Sequence, residues 1–194
     1  MIKKILCLFA LVALSGCAIN YTYDGKKYAS KEEFHQAGDA NISTALAGIT
    51  PLPAPLTRKK LIFAFPSEAT LFAAGISNYV KVQGKEPNAQ TREMLENLTK
   101  SNFKHNKVMF DAIQKKNMFA STQFVETQSM TGSFEASADT DVLHYVEPVL
   151  GSRQWYYTSL KNGKQIFAYD QSSPTMPGKL LAFVDAVQAQ AIRD

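Results

Sequence analysis

The run Leu61-Ile62-Phe63-Ala64-Phe65, set between Lys59-Lys60 and Pro66, limits the fold more than any other stretch. A half-buried strand alternates apolar and polar residues. This run does not, so it reads as a strand buried on both faces, with other layers packed above and below it. Pro66 lacks an N–H and ends the run.

The segments around it set the class. Ser67-Glu68-Ala69-Thr70 opens a helix capped by Ser67. Asn88 to Lys116 is the longest periodic segment. At about 100° per residue, Met94, Leu95, Leu98, Phe103, Met109, Phe110, Ala112 and Ile113 share one face. Glu93, Lys100, Lys104, Lys107 and Asp111 fall on the other. Asn102 and His105 lie in the apolar arc, either as ligand contacts, as hydrogen-bonded core residues or at a helix break. Met118–Thr127 and Asp141–Val149 read as strands. "SRQWYYTSL" and "KQIFAY" read as two more, joined by Asn162-Gly163, a two-residue turn signal. That turn would put Tyr156, Thr158 and Leu160 on one face with Gln165, Phe167 and Tyr169. Trp155, Tyr157 and Ser159 would share the other with Ile166, Ala168 and Asp170. Pro177 to Arg193 reads as a closing helix with Leu180, Leu181, Val184 and Val187 inward. The expected class is α/β (α+β): a mixed sheet of about four to five strands packed by two or three helices.

An appendage precedes this domain. "INYTYDGKKY" alternates around Asp24-Gly25 and predicts a hairpin with Tyr23 opposite Lys26 and Tyr21 opposite Tyr28. Ser30 and Glu33 form a capping box for a helix over about 31–46. "TPLPAPL" carries three prolines and reads as an extended connector. The expected organisation is a signal peptide over 1–16, a lipidated hairpin and helix over 17–49, a connector over 50–58 and the α/β domain over 59–194.

The first residues read as an address. Lys3 and Lys4 precede an apolar run from Ile5 to Leu14 that is too short to span a bilayer as a helix. The tetrad Leu14-Ser15-Gly16-Cys17 resembles the lipobox of bacterial lipoproteins. The resemblance implies diacylglycerol and an N-acyl chain on Cys17, removal of residues 1–16 and no other cofactor. Ala18 after the cysteine, where an Asp would imply retention at the inner membrane, implies the outer membrane. Two or three acyl chains anchor firmly where one does not.

The α/β part also resembles the domain of envelope-assembly lipoproteins: the curli-secretion lipoprotein, the activators of penicillin-binding proteins, and the amino-terminal domain of TolB. The stretches concerned are "LIFAF", "FDAIQKKNMFASTQFVET", "ADTDVLHYVEPV" and "WYYTSLKNGKQIFAY". The resemblance implies diffuse interaction surfaces and carries over no individual residue.

Composition narrows the chemistry. The formal charge of +4 falls to about +2 without Lys3 and Lys4, and the basic residues are dispersed, so nucleic acid is not an expected partner. The two cysteines, Cys7 and Cys17, would leave no thiol for a disulfide, a zinc site or a nucleophile. His35, His105 and His144 lie far apart, with no paired metal-ligand spacing. Ser152 and Ser159 have no evident base. His144 could polarise a hydroxyl with Asp141 nearby, or be an ordinary strand histidine. Asp139 and Asp141 read as turn and strand-start acids, or as a metal pair.

The expectation is a non-catalytic, periplasm-facing outer-membrane lipoprotein that binds an envelope protein. Tyr21, Tyr23, Tyr28, Trp155, Tyr156 and Tyr157 are its candidate surface. A carrier of a small apolar or glycan ligand, with a pocket lined by Phe103, Phe110 and Trp155, is the alternative. An envelope hydrolase is the third.

Overall fold

The computed structural model describes residues 22–23, 26–130, 137–149, 152–159, 164–170 and 176–193. Cys17, Tyr21, the Asp24-Gly25 pair and the Asn162-Gly163 pair lie outside them. The chain divides into two compact units, one ending at Ala40 and the other running from Asn41 to Asp194.

In the first unit, β1 (Thr22–Tyr23) pairs antiparallel with β2 (Lys26–Lys27), Tyr23 opposite Lys26 as the turn signal predicts. Helix α1 (Lys31–Gly48) begins in this unit. Ser30 Oγ accepts from the Glu33 N–H at 3.1 Å, and Glu33 reaches back to the Ala29 N–H at 3.1 Å. Tyr28 meets Phe34 edge to face, and Lys26 Nζ lies over the Tyr28 ring. This small aromatic contact holds the helix start against the segment before it.

The second unit is a five-stranded mixed sheet with helices. Its elements are β3 (Thr57–Pro66), α2 (Glu68–Gln83), α3 (Ala89–Lys116), β4 (Phe119–Thr127), β5 (Thr140–Val149), β6 (Ser152–Ser159), β7 (Lys164–Asp170) and α4 (Met176–Arg193). The strand order is β4-β3-β5-β6-β7. β3 pairs parallel with β4 and β5, and the β5-β6 and β6-β7 pairs are antiparallel. The α/β expectation holds, with β3 inside the sheet. Leu61, Phe63 and Phe65 face the main core, and Ala64 on the other face is buried as well. The β3-β5 ladder stops at Ala64 opposite His144. Two residues on, Pro66 has no N–H to continue it.

Local chemistry sets the helix ends. Ser67 caps α2 by accepting from the Thr70 N–H, and Gly84 closes it at φ 67°. Asn88 caps α3 by accepting from the Thr91 N–H at 2.8 Å. Asn117 ends α3 at φ 59°, left-handed backbone that Asn tolerates better than most residues. Its Nδ2 donates to the Leu52 carbonyl at 3.1 Å. The Leu52 N–H in turn donates to the Lys116 carbonyl, and the Leu56 N–H to that of Met118. The proline-rich segment is thus hydrogen-bonded to the α3-β4 turn, while Ala45 and Ile49 join the main core.

Three expectations about faces are corrected. α3 is one unbroken helix of 28 residues. Its second half is covered, but Met94 is 52% and Leu98 56% exposed. Apolar periodicity reports which residues share a face; α2 approaches this end beside Leu95, where Gly75 lies, but among the described residues nothing covers Met94 and Leu98. In α4, Leu181 is exposed while Phe183 and Ala191 join Leu180, Val184 and Val187 in the core. In the β6-β7 pair, Ser159 faces Lys164, so four residues connect the strands instead of two. That slip of two keeps Tyr156 with Phe167 and Tyr157 with Ile166, because side chains alternate with period two. An irregularity between Trp155 and Tyr156 then pairs Trp155 with Tyr169, against expectation.

Candidate functional site

Lys59, Asp141 and Tyr157 form a buried polar cluster near the starts of β3 and β5. Period-two alternation puts Lys59 on the face of β3 that carries Leu61, Phe63 and Phe65. The register irregularity between Thr57 and Lys60 falls at this point, and the Lys59 N–H donates to Thr57 Oγ1 at 3.2 Å. A lysine aimed toward a core needs an acid, because a buried unpaired charge is costly. Asp141 supplies it, one register step along β5, beside Leu61. Lys59 Nζ lies 3.3 Å from both Asp141 oxygens, and the Asp141 side chain is only 2% exposed against 17% for Lys59. From β6, the Tyr157 hydroxyl donates to Asp141 Oδ2 at 2.6 Å. The Tyr157 ring itself is fully buried, next to Phe119.

The carboxylate therefore accepts from an ammonium and a phenol at once, joining three strands through one side chain. The cluster lies at the starts of the parallel strands. Ligands of open parallel sheets bind past their carboxyl ends. A positioning role in the fold fits this arrangement better than contact with a substrate.

The other sequence candidates separate. Tyr157 is no surface residue: its ring packs in the core because the β6 alternation turns it inward opposite Leu143. For Trp155, Tyr156 and Tyr23 the backbone pairing alone is described, and Tyr28 sits in the first unit against Phe34. Asp139 and Asp141 take different partners. Asp139 is exposed, accepts from Ser137 Oγ and Thr140 Oγ1, and lies 3.8 Å from Lys60 Nζ. Its pKa lies below the usual carboxylate value, first because of the Ser137 hydrogen bond and then because of the Lys60 charge. No group of three acidic, histidine or cysteine side chains among the described residues could hold a metal. His144 is buried on β5, and alternation places it on the opposite face from Asp141, so the two do not form a dyad.

The aromatic seam between α3 and the sheet is filled by its own rings. Phe124 of β4 stacks on Phe63 and meets Phe103 and Phe110 edge to face. Lys107 Nζ caps this seam 4.4 Å from the Phe110 ring centre and 4.7 Å from that of Phe124. Phe103 and Phe110, expected to line a ligand pocket, are instead packed on a shared neighbour.

Sequence reasoning missed two residues. Lys59 carried a usable signal, its inward parity with the apolar run. Asn106 is fully buried in α3, where its Nδ2 donates to the Asn102 carbonyl at 2.7 Å and its Oδ1 finds no donor among the described residues. The signal was its place within the arc of Phe103, Met109, Phe110 and Ile113.

No family model, curated protein or solved structure matches the chain.

Proposed function

We propose that the chain is a lipoprotein of the outer membrane, facing the periplasm and acting without catalysis by binding another envelope protein. The observation that carries this reading is Leu14-Ser15-Gly16-Cys17 at the end of a short apolar run behind two lysines. A thiol in that position is a substrate for lipid transfer, and a doubly or triply acylated terminus stays in the bilayer. No helix among the described residues is long and apolar enough to cross a membrane. The resemblance to envelope-assembly lipoproteins supports a partner-binding role. So does the apolar end of α3, where Met94 and Leu98 are uncovered.

Fractionation and intact-mass measurement on the wild type and Cys17→Ala test the proposal. The wild type should partition with outer membranes and carry the mass of diacylglycerol plus one acyl chain on a chain starting at Cys17. Cys17→Ala should lose both. An unmodified wild-type terminus would overturn the anchor, and in-cell crosslinking that returns no envelope protein would overturn the partner.

A further inference from the structure

We propose that β4 is a self-pairing edge, through which two copies of this chain join their sheets in antiparallel fashion about Phe124. β4 ends the sheet on one side, and among the described residues β3 is its one partner. The Thr127 carbonyl accepts from the Ser67 N–H, which follows β3. Alternation then turns Val125 and Gln123 toward β3 and leaves the N–H and C=O groups of Thr122, Phe124 and Glu126 pointing outward. Among the described residues nothing bonds to these six groups.

Native edge strands are usually blunted by proline, lysine or coverage. The sequence Phe119–Thr127 contains no proline and no basic residue, and its one charge is Glu126. Such an edge accepts only an extended strand, because its free groups alternate at strand spacing.

Charge favours a second copy as that strand. With the two-fold axis at Phe124, all three outward residues pair: Phe124 with Phe124, and Thr122 with Glu126 in each direction. No like charges then stand opposite one another. Glu126 of the second copy becomes the diagonal neighbour of Phe124, the ring that carries Lys107 Nζ at 4.7 Å. Diagonal neighbours are about 7–8 Å apart, within reach of long side chains. The single acid of each strand thus meets the cation at the edge of the other. A two-fold contact of this kind closes on itself and does not propagate into a fibre. The inference is independent of the lipid anchor.

The test uses the full-length chain in membranes, with two differently tagged copies co-expressed and gently oxidised. Gln123→Cys in one copy and Val125→Cys in the other should crosslink, since these positions form a directly opposed pair about 4.5 Å apart at Cα, within disulfide range. Ser121→Cys with Val125→Cys should not, being two residues out of register. Wild-type chains run in parallel account for Cys7 and Cys17. Thr122→Glu sets a second carboxylate opposite Glu126 and should weaken association about tenfold, and Thr122→Glu/Glu126→Lys should restore it. Absence of the first crosslink, equal crosslinking in both pairs, or capture of a different protein at Gln123→Cys would each overturn self-pairing.

Discussion

The Tyr157 hydroxyl donates to Asp141 Oδ2 across 2.6 Å, in the interior of the sheet and on the same carboxylate that holds Lys59. Asp141 is nearly inaccessible and Lys59 is partly wetted. The cost of removing one member therefore depends on which charge is left behind.

Asp141→Ala should destabilise the fold by about 3 kcal/mol, because it removes at once the carboxylate that holds the Lys59 ammonium and accepts from the Tyr157 hydroxyl. Tyr157→Phe should cost less, about 2 kcal/mol, since Asp141 keeps Lys59. Urea denaturation checks the order. Equal losses for the two variants, or none for Asp141→Ala, would show that the cluster does not tie the strands.

At the end of α3, Asn117 combines left-handed backbone with a hydrogen bond to Leu52. Asn117→Ala should lose both the backbone tolerance and the bond, about 2 kcal/mol together. Asn117→Gly should recover the backbone part and lose only the bond, leaving a deficit of about 1 kcal/mol. Thermal unfolding of the two variants separates the contributions. An alanine variant as stable as the glycine one would rule out a backbone cost at this position.

Asp139 offers a pH-dependent reading of the turn before β5. Its folded pKa is lowered, chiefly by Ser137. A carboxylate of this kind adds stability above its unfolded pKa, and that contribution is lost as pH falls through the lowered folded value. Ser137→Ala should move the Asp139 titration upward toward the ordinary carboxylate range, read by carboxyl NMR. Part of the residual lowering should shrink with added salt, because the exposed Lys60 charge contributes to it, while the part due to the Thr140 hydrogen bond should persist.

The parts of this fold that were legible in the sequence are those set by neighbours along the chain. Ser30 and Ser67 announce their helices because a capping oxygen acts within three residues. The Leu61–Phe65 run announces an interior strand because it has no polar side to leave in water. Met94 and Leu98 mislead for the complementary reason: an apolar face is local, but the layer that covers it is not. The slip at the β6-β7 connection was hidden because a shift of two leaves alternation unchanged. Asp141 looked like an ordinary strand-start acid. Its partner Lys59 lies 82 positions away and meets it only through the parallel pairing of β3 with β5.

The placement of β3 also bears on how the chain comes to be folded. β3 ends at Pro66, and its nearest strand partner in sequence starts at Phe119, so the first pairing available to it closes a loop of about fifty residues. Pairings at that separation form slowly compared with a hairpin. During synthesis, the most apolar strand therefore emerges well before any strand that can pair with it. The chain would depend at that stage on a holding factor, or on the early formation of α2 and α3, to keep Leu61–Phe65 from meeting the same segment of another nascent chain.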